Sequence, residues 1–174
     1  MRNFFAVIIL STAVFFLSWL IPYKTGTNTL AIQSEDTLPA IFIPVAILKE
    51  GTIFLDSYYD MLISRYPQPD DKDQKLGLVP YYLRDVKRYE LICDQFEDCH
   101  YRERTHYVSA FPIITPLLAL PIYFFPVLFG MPINWENLEI LASLSSAFIV
   151  ALSGGFLYLL LKRHFFVEES SVEE

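Results

Sequence analysis

Two adjacent carboxylates, Glu35 and Asp36, lie in the stretch SEDTLPA at residues 34–40, about a dozen positions after a charge-free apolar run. A carboxylate held at a water–lipid boundary loses hydration, and its pKa rises toward that of a working base. Such a group can take the proton from an acceptor hydroxyl or amine as the acceptor attacks. Either acid of the pair has the chemistry for this. Glu35, beside Asp36, is grouped with the substrate-binding residues, as a second carboxylate or a metal ligand. No ligand set accompanies it, so no metal and no cofactor is expected. A plainer role stands next to the catalytic one. Asp36 or Thr37 can cap a helix that begins near Pro39, because proline is tolerated in a first helical turn.

Further along, Asp56 and Asp60 flank SYY, and Tyr58, Tyr59, Tyr81 and Tyr82 offer rings that stack on sugars or anchor at a membrane interface. Asp56, Tyr58 and His106 join Glu35 as candidate substrate-binding residues. Arg104 and His106 can contact a phosphate, which guanidinium groups bind well, or serve as solvated surface. Cys93 and Cys99, in ICDQFEDCH, can close a small disulfide loop if the segment lies outside the cytoplasm. Free thiols are an equal alternative. Zinc with His100 and His106 is a third, although the spacing matches no common zinc pattern.

The elements that must position these groups are set by hydropathy. The chain has 174 residues, 53% of them hydrophobic and 19% charged, and the charged share falls below the ~25% of ordinary soluble domains. Its formal charge of −7 argues against a nucleic-acid partner, which calls for a basic face. Residues 3–22 carry no charge, and about twenty helical residues span a ~30 Å hydrocarbon core. Bulky residues stand where a signal peptidase needs small ones, so an uncleaved anchor over 1–23 is expected. The second clear span covers 138–162, and the basic run Lys162, Arg163 and His164 follows its apolar stretch. Ser143, Ala147, Ala151 and Gly155 recur every four residues along it. Small residues at that spacing let helices approach closely, so this face is expected to receive a further transmembrane helix or a partner chain.

Between the spans, 24–137 reads as a large extracytoplasmic loop with surface helices at about 38–50 and 111–130. Gly51 is expected to end the first of these, whose apolar face is expected on lipid or on the second span. YPQPDDKDQKLG is expected to be a flexible loop. Residues 107–130 are apolar enough to cross but hold Pro112, Pro116, Pro121 and Pro126, each costly inside a lipid-exposed helix. Positive residues flank the start of the first span (Arg2) and the end of the last (Lys162, Arg163), which places both termini in the cytoplasm and requires an even number of crossings. The expected fold is therefore mainly α: an integral protein of the inner or plasma membrane with two transmembrane helices, and an acidic cytoplasmic tail over 163–174.

In that arrangement the sequence resembles the N-terminal part of GT-C-type membrane glycosyltransferases, and more narrowly certain bacterial multi-span membrane proteins of that superfamily. The resemblance rests on SEDTLPA followed by IPVAILKEGTIFLD, then VPYYL, then HYVSAFPIITPLLALPIYF, in that order. It covers about residues 30–165. The resemblance implies a polyprenyl-phosphate-linked sugar donor, transfer to an extracytoplasmic acceptor, and Asp36 in the position of the base. It also implies many further spans, so the chain is expected to be a truncated or incomplete enzyme. The alternative expectation is a non-catalytic two-span adaptor or scaffold of an envelope assembly.

Overall fold

The computed structural model describes residues 2–27, 37–93 and 99–165. In chain order the elements are α1 (Arg2–Lys24), α2 (Leu38–Glu50), a 3₁₀ turn (Asp56–Tyr58), α3 (Tyr59–Arg65), β1 (Leu83–Cys93), β2 (Cys99–Ser109), α4 (Ile114–Leu128) and α5 (Trp135–Phe165). The protein is mainly helical. It divides into two structural units, residues 1–31 with 131–174, and residues 32–130.

The first unit is a helix pair. α1 and α5 are both long and apolar enough to cross a membrane. They run antiparallel, as contacts at their two ends show. Phe4 and Phe156 meet at one end, with ring centroids 5.9 Å apart. At the other, Lys24 pairs with Glu136, and the Tyr23 hydroxyl donates to Glu139 Oε2 at 2.8 Å. The N-terminal end of α1 and the C-terminal end of α5 therefore lie together.

Gly155 explains how closely the helices approach: a Cβ there would come within 2.7 Å of Ile8 Cγ1 and 3.0 Å of Phe4 Cε2. Ala147 and Ala151 are buried on the same four-residue stripe. At Gly155 this small-residue face, expected to meet a further helix or partner, is taken by α1 of the same chain.

In the second unit, α2 packs on α4. α2 buries Leu38, Pro39, Ile41, Phe42, Ile43, Pro44, Val45 and Ala46, so its apolar surface faces protein. Burying one such aliphatic or aromatic side chain contributes about 1.5–3 kcal/mol. Gly51 stops the helix in the left-handed conformation, φ +67°, and donates its N–H to Ile47 O at 3.1 Å.

α4 differs from expectation at its start. β2 runs through Ser109, so the apolar stretch 107–130 begins as a strand and turns helical only at Ile114. Pro121 and Pro126 lie inside a continuing helix of 15 residues. At 1.5 Å per residue it is about 22 Å long, short of a ~30 Å hydrocarbon core.

β1 and β2 form an antiparallel two-stranded ribbon with Leu83 opposite Ser109 and Cys93 opposite Cys99. A two-stranded ribbon is marginal by itself, and this one is held at both ends. At its base Leu83 and Tyr82 are buried, and the Tyr82 hydroxyl donates to Tyr66 O at 2.6 Å. At the far end Cys99 is disulfide-bonded, which removes the free-thiol and zinc alternatives for it.

Residues 66–77, expected to be a flexible loop, are folded around Asp71. Its buried carboxylate accepts the Leu76 N–H at 3.0 and 3.1 Å and the Leu78 N–H at 3.0 Å. The Leu76 N–H, the largest influence, holds this carboxyl below the usual aspartate value; burial opposes it, and the Leu78 N–H adds to the lowering.

Candidate functional site

Asp36 and Glu35, the candidate base and its neighbour, lie outside the described residues. Their surroundings begin one residue later. Thr37 takes the N-cap position of α2 without a side-chain capping bond, and Pro39 stands in the first turn. The N-terminus of a helix favours negative charge, by typically 0.3–1 kcal/mol at an exposed site.

Asp56 and His106, 50 residues apart, are brought together. His106 lies on β2, where strand alternation turns it to the same ribbon face as Glu90 of β1. Asp56 opens the 3₁₀ turn, which is drawn to β2 by the Leu55 N–H bonding Tyr107 O at 2.8 Å. His106 Nδ1 is 2.6 Å from Asp56 Oδ2, and Nε2 is 3.0 Å from Glu90 Oε1. The second oxygen of each acid is also used. Asp56 Oδ1 accepts the Tyr107 N–H at 2.7 Å, and Glu90 Oε2 accepts from Arg104 at 3.3 Å. The Phe54 ring stacks on the imidazole at 4.3 Å between centroids, and His106 is only 5% exposed.

Both His106 nitrogens face carboxylate oxygens, and the ring satisfies both when both nitrogens carry protons. In that form it has no lone pair for a metal or for a substrate proton. The arrangement works as a clasp that ties the 3₁₀ turn to both strands. Glu90 is held ionised below the usual glutamate range, chiefly by the Arg104 hydrogen bond and further by His106. Among the described residues no group of three His, Cys, Asp or Glu side chains is arranged to hold a metal ion.

Tyr58, expected on a substrate surface, turns inward instead. Its ring is buried 5.5 Å from that of Phe42, and its hydroxyl lies near the Glu50 carboxylate. Burial, reinforced by that acid, pushes the phenol pKa up. Tyr59 stacks on Tyr107 at 4.0 Å, so its face is also occupied.

Glu90, Phe54 and Asp71 are residues that sequence reasoning passed over. Glu90 becomes visible only once the ribbon register is known. The nearest sequence signal was the paired run of β-branched and aromatic residues, VKRYELI and YRERTHYV, on either side of the two cysteines.

Comparison of the chain with family models, with curated proteins and with solved structures returns no match.

Proposed function

We propose that the chain is the N-terminal module of a GT-C-like membrane glycosyltransferase, which moves a sugar from a polyprenyl-phosphate donor to an extracytoplasmic acceptor. In this reading the α1–α5 pair crosses the inner or plasma membrane with both termini in the cytoplasm. Asp36 is the base, and Glu35 assists in orienting the acceptor.

The observation that carries the reading is convergence within residues 32–130. Asp56 of IFLD bonds the backbone of Tyr107 in HYVSAFP. The Tyr82 carbonyl of VPYYL accepts the N–H of Ala110 from that same segment, at 3.0 Å. α2, which follows SEDTLPA directly, packs on α4, which contains TPLLALPIYF. The segments that carry the resemblance are far apart in sequence and support one another in space.

The test is sugar transfer by a form that also supplies the later helices, on the same chain or a partner chain. Asp36→Asn lowers transfer by about 10²–10⁴ while expression and membrane insertion are kept, and Glu35→Gln has a milder effect. Unchanged transfer by Asp36→Asn overturns the base assignment.

A non-catalytic adaptor is the second reading. It is favoured by the internal use of His106 and Asp56, whose ring nitrogens and carboxylate oxygens bond to groups of the chain itself. Absence of transfer in every complemented form selects it.

A further inference from the structure

The ribbon register sorts the side chains of β1 and β2 by charge. One face carries Arg84, Arg88, Arg102 and Arg104 with His100 and His106, against one acid of the ribbon, Glu90, and Asp56 of the 3₁₀ turn on His106. The other carries Asp85, Lys87 and Glu103 among Tyr89, Tyr101 and Tyr107. On that second face Lys87 Nζ lies 2.7 Å from Glu103 Oε1, and the Tyr89 hydroxyl bonds Glu103 Oε2 at 3.2 Å.

On the arginine face the charges are not matched. Both Glu90 oxygens are spent, one on Arg104 and one on His106. Arg84, Arg88 and Arg102 are exposed, and no ion pair with them occurs among the described residues. Arg88 and Arg104 stand directly opposite each other across the ladder. Like charges in that position destabilise a sheet. Phe54 and Asp56 cover His106 on this face, so in a chain of formal charge −7 the cations left without an acid on the ribbon are Arg84, Arg88 and Arg102.

We infer that this face docks on a surface of anionic phospholipid headgroups. The strip runs from the row of Arg84 to the row of His100, eight residues along the strand, which is about 27 Å. That length is far too great for one phosphate and suits a plane that presents many. Guanidinium forks bind phosphate oxygens bidentately, and arginine stems can lie along apolar surface while their heads stay wet. Exposed Val86 on the same face adds apolar contact. A bilayer is the occupant the chain itself supplies, because α1 and α5 are both apolar enough to cross one. The connecting segment 94–98 is acidic in sequence, so the attraction belongs to the ladder. The inference is independent of sugar transfer, since it uses neither Asp36 nor a donor.

The test uses the full chain in lipid nanodiscs of phosphatidylcholine, alone or with 30 mol% phosphatidylglycerol (about a third of the lipid, chosen to give a strongly anionic surface). The rate of phenylglyoxal modification of each arginine is read by mass spectrometry. Phosphatidylglycerol should slow modification of Arg84, Arg88 and Arg102, leave Arg65 of α3 unchanged, and lose its effect in high salt. In the Arg88→Gln/Arg102→Gln variant, protection of Arg84 should weaken by roughly fivefold for each arginine removed. Retention of the Cys99 disulfide in the variant shows that the ribbon is intact. Equal rates in the two lipids overturn the inference. Protection in phosphatidylcholine discs by soluble poly(glycerol phosphate), without protection by phosphatidylglycerol, reassigns the face to a phosphate polymer. Protection by inorganic phosphate alone reassigns it to free anion.

Discussion

His106 Nδ1 and Asp56 Oδ2 are 2.6 Å apart across 50 residues of sequence. This contact, with the Tyr107 N–H on the other Asp56 oxygen, fastens the 3₁₀ turn to β2. Asp56→Ala is expected to destabilise the second unit by about 1–2 kcal/mol, the lower end for charged hydrogen bonds because the acid is part-exposed. His106→Ala should cost a similar amount, and the double variant less than the sum. Hydrogen exchange at β2 amides measures all three, and strict additivity would refute the clasp.

Asp71 gives a pH dependence of known sign. Its folded pKa is lowered by backbone donors. Its stabilisation is therefore fully present above the ordinary aspartate value, about 3.9, and is lost as pH falls through the lower folded value. Amide protection at Leu76 and Leu78 should hold from neutral pH down to about 4 and then fall. Asp71→Asn should weaken it at neutral pH and flatten the acid transition. Loss of protection in the wild-type chain already near pH 5 would show that Asp71 is not the organising group.

The approach at Gly155 predicts a size series. The atoms that a new Cβ would meet are the ends of the Ile8 and Phe4 side chains. Alanine there is expected to be tolerated by small shifts, whereas Gly155→Leu should push α1 and α5 apart. Oxidative cross-linking of a Phe4→Cys/Phe156→Cys pair reports the separation. An unchanged yield in Gly155→Leu contradicts close packing at this point.

Topology follows from the antiparallel pair and its basic ends. Cysteines placed at Asp70 and Glu168 should label from opposite sides of the membrane. Labelling of position 168 from the outer side would mean an odd number of crossings.

The Cys99 disulfide predicts that protein taken from its native membrane without reductant is two hydrogens lighter than its reduced form. Two alkylatable thiols in such protein would exclude the bond and place the ribbon in a reducing compartment.

The long helices were legible because twenty uncharged residues leave few alternatives, and the end of α2 because glycine takes φ +67° without strain. The ribbon was not. Its strands alternate charged and aromatic residues, since much of both faces is exposed, and the expected apolar–polar period never appears. Asp71 was hidden for a related reason. In YPQPDDKDQKLG it is one acid among three, and only the folded backbone shows which one collects the amides. His106 was singled out from sequence, but its two acids come from the 3₁₀ turn and β1, and no local spacing links them.

The partners in the Lys24–Glu136 ion pair are 112 residues apart. At synthesis rates of about 5–20 residues per second, α1 emerges roughly 5–20 s before the residue that completes this contact. Through that interval the newborn helix has no α5 against it. Until then α1 has only its own apolar surface, which includes exposed Phe5, Ile9, Leu10, Val14 and Ile21 as well as the face that later receives Gly155.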